Sequence, residues 1–413
     1  MSGLLPVKDA LSLILSGVMP IEDREVVDLQ NAGRRVLADD LTALRTQPPF
    51  PASAMDGYAV RHPGRDGAAS FRLIGEAAAG HPFAGTVGSG ECVRIFTGAP
   101  VPPGADTVLI QENANAQGTT IAFEMVGEPG RFVRPEGLDF RERDTLLTAG
   151  SVLTAARVSL CAAMGRSEVS VLRRPSVAVL ANGDELRLPG EATRVGQIVA
   201  SNSFGVAQIA REAGAEAIDL GIARDDVDDL AHRLAGGVDQ GSDVIVTLGG
   251  ASVGDHDLVA LAFERLGVRP DFLKLAMRPG KPVMFGRSPR AAFLGLPGNP
   301  VSSLVGAHVF LRPLLYALAG RPHSASPREG VLARDLNAND EREEYARATL
   351  EWKDGRWVVD PFPTQDSSML QLMARSHALL IRSAHAPKAR AGDPCSFLPI
   401  VALGDLRNKA RTD

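Results

Sequence analysis

The stretch "LAMRPGKPVMFGR", residues 275 to 287, sets two cations, Arg278 and Lys281, around a Pro-Gly pair in an apolar run. Proline presets the first central position of a turn and glycine accepts positive φ at the second. The dipeptide therefore predicts a hairpin that holds two positive charges at a fixed separation. Such a tip either solubilises a surface or grips an anion, and the rest of the chain must decide.

Three other stretches run from an apolar segment straight into a polar, glycine-rich turn: "LANGDEL" (180 to 186), "TLGGASVGDHD" (247 to 257) and "GLPGNPVSS" (295 to 303). The glycines, among them Gly249, Gly250, Gly254 and Gly298, let backbone amides approach an anion closely, and Ser252 adds a hydroxyl donor. Asn299 and Pro300, after Pro297 and Gly298, resemble an N-cap and first helical residue. The amides near Val301 and Ser302 then form the positive end of a helix. One such loop is equally a tight turn; three with a cationic hairpin point to a phosphate-type ligand.

Carboxylates accompany these donors. Asp184 and Glu185, Asp225 and Asp226, and Asp255 and Asp257 each follow an apolar segment, where they could gather around a divalent cation such as Mg²⁺ bridging phosphate oxygens. A helix N-terminal acid explains Asp226 and one of Asp255 or Asp257 without any metal. His256, between two aspartates, reads as solvated. No G-x-x-x-x-G-K-[ST] loop or G-x-G-x-x-G fingerprint occurs, so neither an ordinary ATPase nor a dehydrogenase follows.

Earlier in the chain, "PPFPASAMDGYAV" (48 to 60) puts Ser53 and Asp56 at the tip of a lid or hairpin. "RIFTGAPVPPGADTV" offers Thr97, and "RPEGLDF" offers Asp139. These polar tips are expected to lack partners within their own module.

The elements that must carry these residues follow from periodicity. From residue 176, strands "SVAVLA", "AIDLGI", "DVIVTLG" and "AAFLGL" alternate with helices near 203 to 213, from 227 and over "HDLVALAFERLG", with hairpin strands "FLKLAM" and "PVMFG" and a long apolar helix from Pro300. That alternation predicts a parallel-type sheet with the three loops at its carboxyl edge, where ligands bind. The expected organisation is multidomain α/β plus β. An N-terminal helical linker domain takes 1–46 and 141–175, and a β-rich inserted module takes 47–140. A central α/β domain takes 176–324, and a C-terminal β domain takes 325–413, where "YARATLEW", "RWVVDPF" and "ALLIRSA" are strand-like. The opening segment reads as an amphipathic helix starting near Pro6.

The 413 residues allow two to four domains. With 44 basic against 49 acidic side chains, a net charge of −5 recommends neither a nucleic-acid nor an anionic-membrane partner. Three widely spaced cysteines, Cys92, Cys161 and Cys395, form no disulfide framework or zinc motif, which fits a reducing cytoplasm. No apolar run approaches the ~20 residues of a membrane span.

Taken in order, "PASAMDGYAV", "RIFTGAPVPPGADTV", "ANGDEL", "GQIVASNS", "TLGGASVGDHD", "KLAMRPGKPVMFG" and "GLPGNPVSS" resemble the molybdopterin molybdenumtransferase family, the MoeA proteins and the E domain of gephyrin. The resemblance implies a four-part subunit with a molybdopterin-binding α/β domain. It also implies a homodimer whose site lies between the α/β domain of one subunit and the β-rich module of the other, giving Asp56, Thr97 and Asp139 their partners. The implied reaction inserts molybdate into adenylylated molybdopterin with release of AMP, assisted by Mg²⁺.

On this resemblance Ser252, Glu185, Asp225 and Asp257 surround the pyrophosphate, the last three as metal ligands. Gly249, Gly250, Gly254, Pro297, Gly298, Asn299, Pro300 and Ser302 line the ligand. Arg278, Lys281, Arg347 and Ser367 hold the oxyanion, Pro282 continues the motif beside them, and Lys274 joins the cofactor-binding set. A molybdopterin adenylyltransferase upstream and recipient molybdoenzymes or their chaperones downstream are the implied partners. A tungstate-loading or enzyme-dedicated paralogue, or a non-catalytic scaffold, would share the pattern. The chain departs from it at Arg278, where the family usually has lysine, at Asn182, where it has threonine, and at Asp366 and Ser368, where it has glycine.

Overall fold

The computed structural model describes residues 4–250, 257–321, 326–404 and 406. The chain divides into two compact units, Glu25–Val171 and a discontinuous one made of Met1–Arg24 and Leu172–Asp413.

In the discontinuous unit, Ser176–Asn182, Glu216–Ala223, Val244–Leu248 and Ala292–Leu296 lie parallel in one six-stranded sheet, with Met284–Arg287 and Pro270–Phe272 added antiparallel at one edge. Near-continuous apolar runs suit strands buried on both faces. Their side chains part by the two-residue period: Val177 and Val179 enter one core, and Ala178 and Leu180 enter the other.

The first core is covered by the helices Val7–Leu15, Asn202–Glu212 and Pro300–Leu318, and the second by Val227–Asp239 and Leu258–Arg265. The opening helix begins after Pro6 as expected, but Val7, Ala10 and Ile14 pack into the α/β core rather than into a helical linker domain. An apolar stripe announces that a helix has a partner without saying which one.

The helix Pro300–Leu318 widens to π-helical spacing over Ala307–Leu311. By length and composition it could cross a membrane, which corrects the expectation that no segment approaches that size. It is 78 % buried inside its own unit and is a core helix.

The C-terminal strands close on themselves. Glu343–Lys353 pairs with Arg356–Pro361 on one side and Ala378–Arg382 on the other, and Arg328–Leu332 and Pro394–Pro399 complete the ring. Closure leaves this small barrel without the unpaired edges of an open sheet.

The expected antiparallel pairing forms only at its base, where Pro270–Phe272 lies against Met284–Arg287 and Leu275 N donates to the Lys281 carbonyl. At the tip Met277–Arg278 leaves it and pairs in parallel with Glu343–Lys353 of the barrel. The Arg278–Pro279 peptide is cis, and Gly280 takes φ +107°. Turn chemistry was legible at these residues; the competing barrel strand, more than 60 residues away, was not.

The contiguous unit carries a six-stranded sheet ordered Thr107–Ile110, Gly57–Val60, Glu91–Ile95, Ala69–Ala77, Thr120–Phe123, Ala114–Gln117. Apolar clusters lie on both faces. A Cβ at Gly57 would meet the Leu109 carbonyl at 2.0 Å, so the strand crossing there admits only glycine. The helix Ala155–Ala163 is capped by the Thr154 hydroxyl, which accepts from Arg157 N.

Candidate active site

Parallel pairing aligns the strand ends. Ala181 lies opposite Leu248, Leu248 opposite Leu296, and Asn182 opposite Ala223, so all four following loops leave the sheet at one edge. Their backbones touch. A Cβ on Gly249 would stand 2.5 Å from the Asn182 carbonyl, and one on Gly298 would stand 3.2 Å from the Gly249 Cα. The loop glycines are thus required for close approach of loop to loop. Asn202 Nδ2 donates to the Gly298 carbonyl at 2.7 Å and ties the third loop to the helix Asn202–Glu212.

Between these loops lies a cavity of about 320 Å³, with Glu185 and Asp225 on its polar side and Ile198 and Val199 on its apolar side. Gly249, Gly250, Gly298 and Pro300 also line it. Asp184 N donates to Asp225 Oδ2 at 3.4 Å and Asp225 N to Asp184 Oδ1 at 3.3 Å, locking the two acidic loops to each other. At the cavity floor Asn182 is 4 % exposed, with neither carboxamide atom bonded, and the Thr247 hydroxyl and Asn299 Oδ1 are likewise buried without partners. The orphaned Asn182 carboxamide, which lines the cavity, fits a polar ligand.

The acidic set is dispersed. Asp257 Oδ1 accepts from Val259 N at 3.1 Å and Ala260 N at 3.0 Å, the N-cap of the helix Leu258–Arg265, and Asp226 caps Val227–Asp239 in the same way. The helix-terminal explanation therefore holds for both. Among the described residues no three His, Cys, Asp or Glu side chains gather as a metal site. Glu185 and Asp225 still suit Mg²⁺, which binds through one or two carboxylates with phosphate oxygens and water. Ser252, Gly254, Asp255 and His256 lie outside the described residues.

At the helix Pro300–Leu318, Val301 N already donates to the Ser367 carbonyl at 3.2 Å, and Ser302 is buried beside it. Arg347, 1 % exposed, donates through Nε to Gln365 Oε1 at 3.1 Å and through Nη1 to the Asp366 carbonyl at 2.8 Å. Its Nη2 is buried without a partner. Gln365 is fixed by its own bonds to the Arg347 and Phe362 carbonyls. Burial lowers the Arg347 pKa, with Asp366 and Glu344 opposing it. The guanidinium stays charged at any ordinary pH.

Asp366 turns its carboxylate away, accepting from Ser368 N at 2.8 Å and Ser368 Oγ at 2.6 Å, which holds its pKa below the usual range. Two departures from the family pattern are thus one feature, each residue partnering the other.

Arg278 is ion-paired to Asp340 and Glu344, whereas the sequence reading made it an anion clamp. Lys281 is exposed, Pro282 partly buried, and Pro297 buried. Lys274 is exposed, and its carbonyl accepts from Leu5 N at 3.3 Å.

In the contiguous unit, Asp56 Oδ1 accepts from both Thr97 N and Thr97 Oγ1 at 2.7 Å, bonds that depress its pKa. This corrects the expectation that these tips lack partners in their module. Asp139 is exposed, its backbone N bonded to the Gln47 carbonyl at 3.0 Å. Gln365, Asn339 and Asp340 were missed from sequence. Their bonds to Arg347 and Arg278 span 18, 61 and 62 positions, and no local motif marks them.

A glycine-lined, partly acidic cavity thus lies at the carboxyl edge of a doubly covered α/β sheet, the position at which such sheets bind ligands. Family models match in series: the MoeA N-terminal region (domain I and II) over residues 5–165, a probable molybdopterin binding domain over 178–317, and the MoeA C-terminal region (domain IV) over 329–400. The chain is 33 % identical over 380 residues to the molybdopterin molybdenumtransferase of Haemophilus influenzae, covering 91 % of this chain and 93 % of that one. It is 34 % identical to that of Nostoc sp., covering 91 % and 89 %. The crystal structure of the molybdopterin biosynthesis MoeA protein from Pyrococcus horikoshii OT3 superposes with a TM-score of 0.79 at 25 % identity, covering 96 % of this chain and all of that one. The chain belongs to the molybdopterin molybdenumtransferase family, and it is a transferase of molybdenum cofactor biosynthesis.

Proposed function

We propose that this enzyme inserts molybdate into adenylylated molybdopterin, cleaving the anhydride so that oxygen from water or molybdate ends on phosphorus and AMP leaves. The observation that carries this reading is the partnerless, buried Nη2 of Arg347, beside the Asp366–Ser367 segment that meets the start of the helix Pro300–Leu318. A buried charged donor without an acceptor is costly in itself and suits an oxyanion. Ser302, Ser367 and Lys281 supply further donors, while the cavity between the glycine loops takes the pterin and its phosphates. Mg²⁺, when bound by Glu185 and Asp225, offsets charge on the pyrophosphate. Asp257 caps the neighbouring helix and, on this reading, also acts on the pyrophosphate.

The proposal includes a homodimer in which Asp56, Thr97 and Asp139 of a second copy complete the site. It also includes an adenylyltransferase upstream and a molybdoenzyme or its chaperone downstream. Free thiols at Cys92, Cys161 and Cys395 support a reducing cytoplasm as the compartment.

Incubating the pure protein with adenylylated molybdopterin, molybdate and Mg²⁺ should release AMP in step with cofactor formation. Asp56→Asn and Asp257→Asn variants, inactive singly, should regain part of that activity when mixed and allowed to exchange subunits. No molybdate-dependent AMP from the wild type overturns the reading.

A further inference from the structure

The two cations that flank Pro279 and Gly280 have different surroundings. Arg278 Nη1 donates to Asp340 Oδ2 at 3.1 Å, and its Nη2 donates to Asn339 Oδ1 at 3.1 Å and stands 2.9 Å from Glu344 Oε1. This socket is organised independently of Arg278. Asn339 Nδ2 donates to the carbonyls of Arg342, Arg382 and Ser383 at 2.8, 3.0 and 2.9 Å, which leaves its oxygen facing the arginine. Asp340 also accepts from Arg342 N at 2.9 Å and Arg342 Nη2 at 2.8 Å. Two guanidinium groups meet two carboxylates, so the cluster has no net charge. The Arg278 Nε is buried without a partner, but an oxyanion brought to Arg278 would meet Asp340 and Glu344 as well.

Lys281 has no such company. Its ammonium makes no hydrogen bond or ion pair among the described residues, and the side chain is exposed. The loop that carries it is fixed at its neck, where Leu275 N donates to the Lys281 carbonyl at 2.8 Å, and by the buried Leu275 and Met277. It is fixed again where Glu343 N donates to the Ala276 carbonyl at 2.8 Å. Gly280 faces the helix start, since a Cβ there would lie 3.9 Å from the Ser302 carbonyl.

We infer that Arg278 is a positioning residue that latches the 275–281 loop to the barrel strand Glu343–Lys353, so that the oxyanion contact of this loop falls to Lys281 alone. A planar fork with several donors can bridge Asn339, Asp340 and Glu344 at once; a lysine ammonium, one point charge, cannot hold all three in that geometry. The inference rests on the insertase reading for its oxyanion, while the latch itself is a property of the fold.

The test uses the full chain, with Arg278→Gln, the double variant Asp340→Asn/Glu344→Gln, and the triple combination. Molybdate is titrated against AMP release. Acting through the socket, Arg278→Gln and the double variant should each raise the half-saturating molybdate concentration about tenfold with the saturated rate nearly kept, and the triple variant should be no worse than either. Arg278→Lys should fall between wild type and Arg278→Gln.

Were Arg278 itself the oxyanion ligand, stripping its two carboxylates would free its charge and lower the molybdate requirement. That opposite sign overturns the inference. Amide hydrogen exchange over residues 274–283 is the second readout, expected to quicken in every latch variant and to stay unchanged in Lys281→Ala. Unaltered exchange in the latch variants also overturns it. A wild type that releases no AMP refutes the insertase reading, and the exchange data then judge the latch by themselves.

Discussion

A guanidinium taken almost wholly out of water is tolerated when its donors are met, and Arg347 leaves Nη2 unmet. Lys281 is the opposite case, an exposed cation whose loss should cost folding less than about 0.5 kcal/mol. Lys281→Ala should nonetheless raise the molybdate needed for half-maximal insertion about tenfold to a hundredfold, the value of one charge-assisted hydrogen bond, with binding of the adenylylated pterin nearly intact. Coincident molybdate titrations at equal stability would make it an ordinary surface lysine. The residue type at 281 was legible in the sequence as a candidate anion contact. Its division of labour with Arg278 was not, because Asp340 and Asn339 stand 62 and 61 positions away.

At the scale of elements, the loops were legible because each strand ends where an apolar run meets glycine, and parallel pairing then places those ends together. Acidic residues at the same edge were harder to assign, because a metal ligand and an N-cap use the same residue types in the same place. Asp226→Ala and Asp257→Ala each remove a side chain that accepts two helix amides, and each should lose about 1 kcal/mol of stability. Only Asp257→Ala should also lower the rate of AMP release. Equal rates for the two variants at matched stability would leave Asp257 a cap and nothing more.

The π-helical segment Ala307–Leu311 houses His308, buried with its Nδ1 unpartnered. Burial first, and the nearby Arg312 charge second, push its pKa down to about 3. Between that value and the ordinary ~6.5, the unfolded chain binds a proton that the folded one refuses. Stability contributed by keeping this ring neutral is therefore present above about pH 6.5 and drains away as pH falls, by at most about 1.4 kcal/mol per pH unit. Denaturant unfolding at pH 7, 6 and 5 should show this slope, and His308→Met should flatten it. An unchanged slope in that variant would place the titration elsewhere.

For the whole molecule, family motifs spread over nearly its full length made the α/β and C-terminal β organisation readable. The attachment of the first 24 residues was not, because that choice is made by a surface presented only by residues far along the chain. Glu25–Val171 is one uninterrupted unit, whereas the opening helix Val7–Leu15 belongs with Leu172–Asp413. On a ribosome the inserted unit can finish folding while most of the chain has yet to be made. Val7, Ala10 and Ile14 must wait for the helix Arg312–Leu318, roughly 300 residues and about 15 to 60 s of synthesis later. Through most of that interval their apolar stripe lacks its native cover and stays exposed to water.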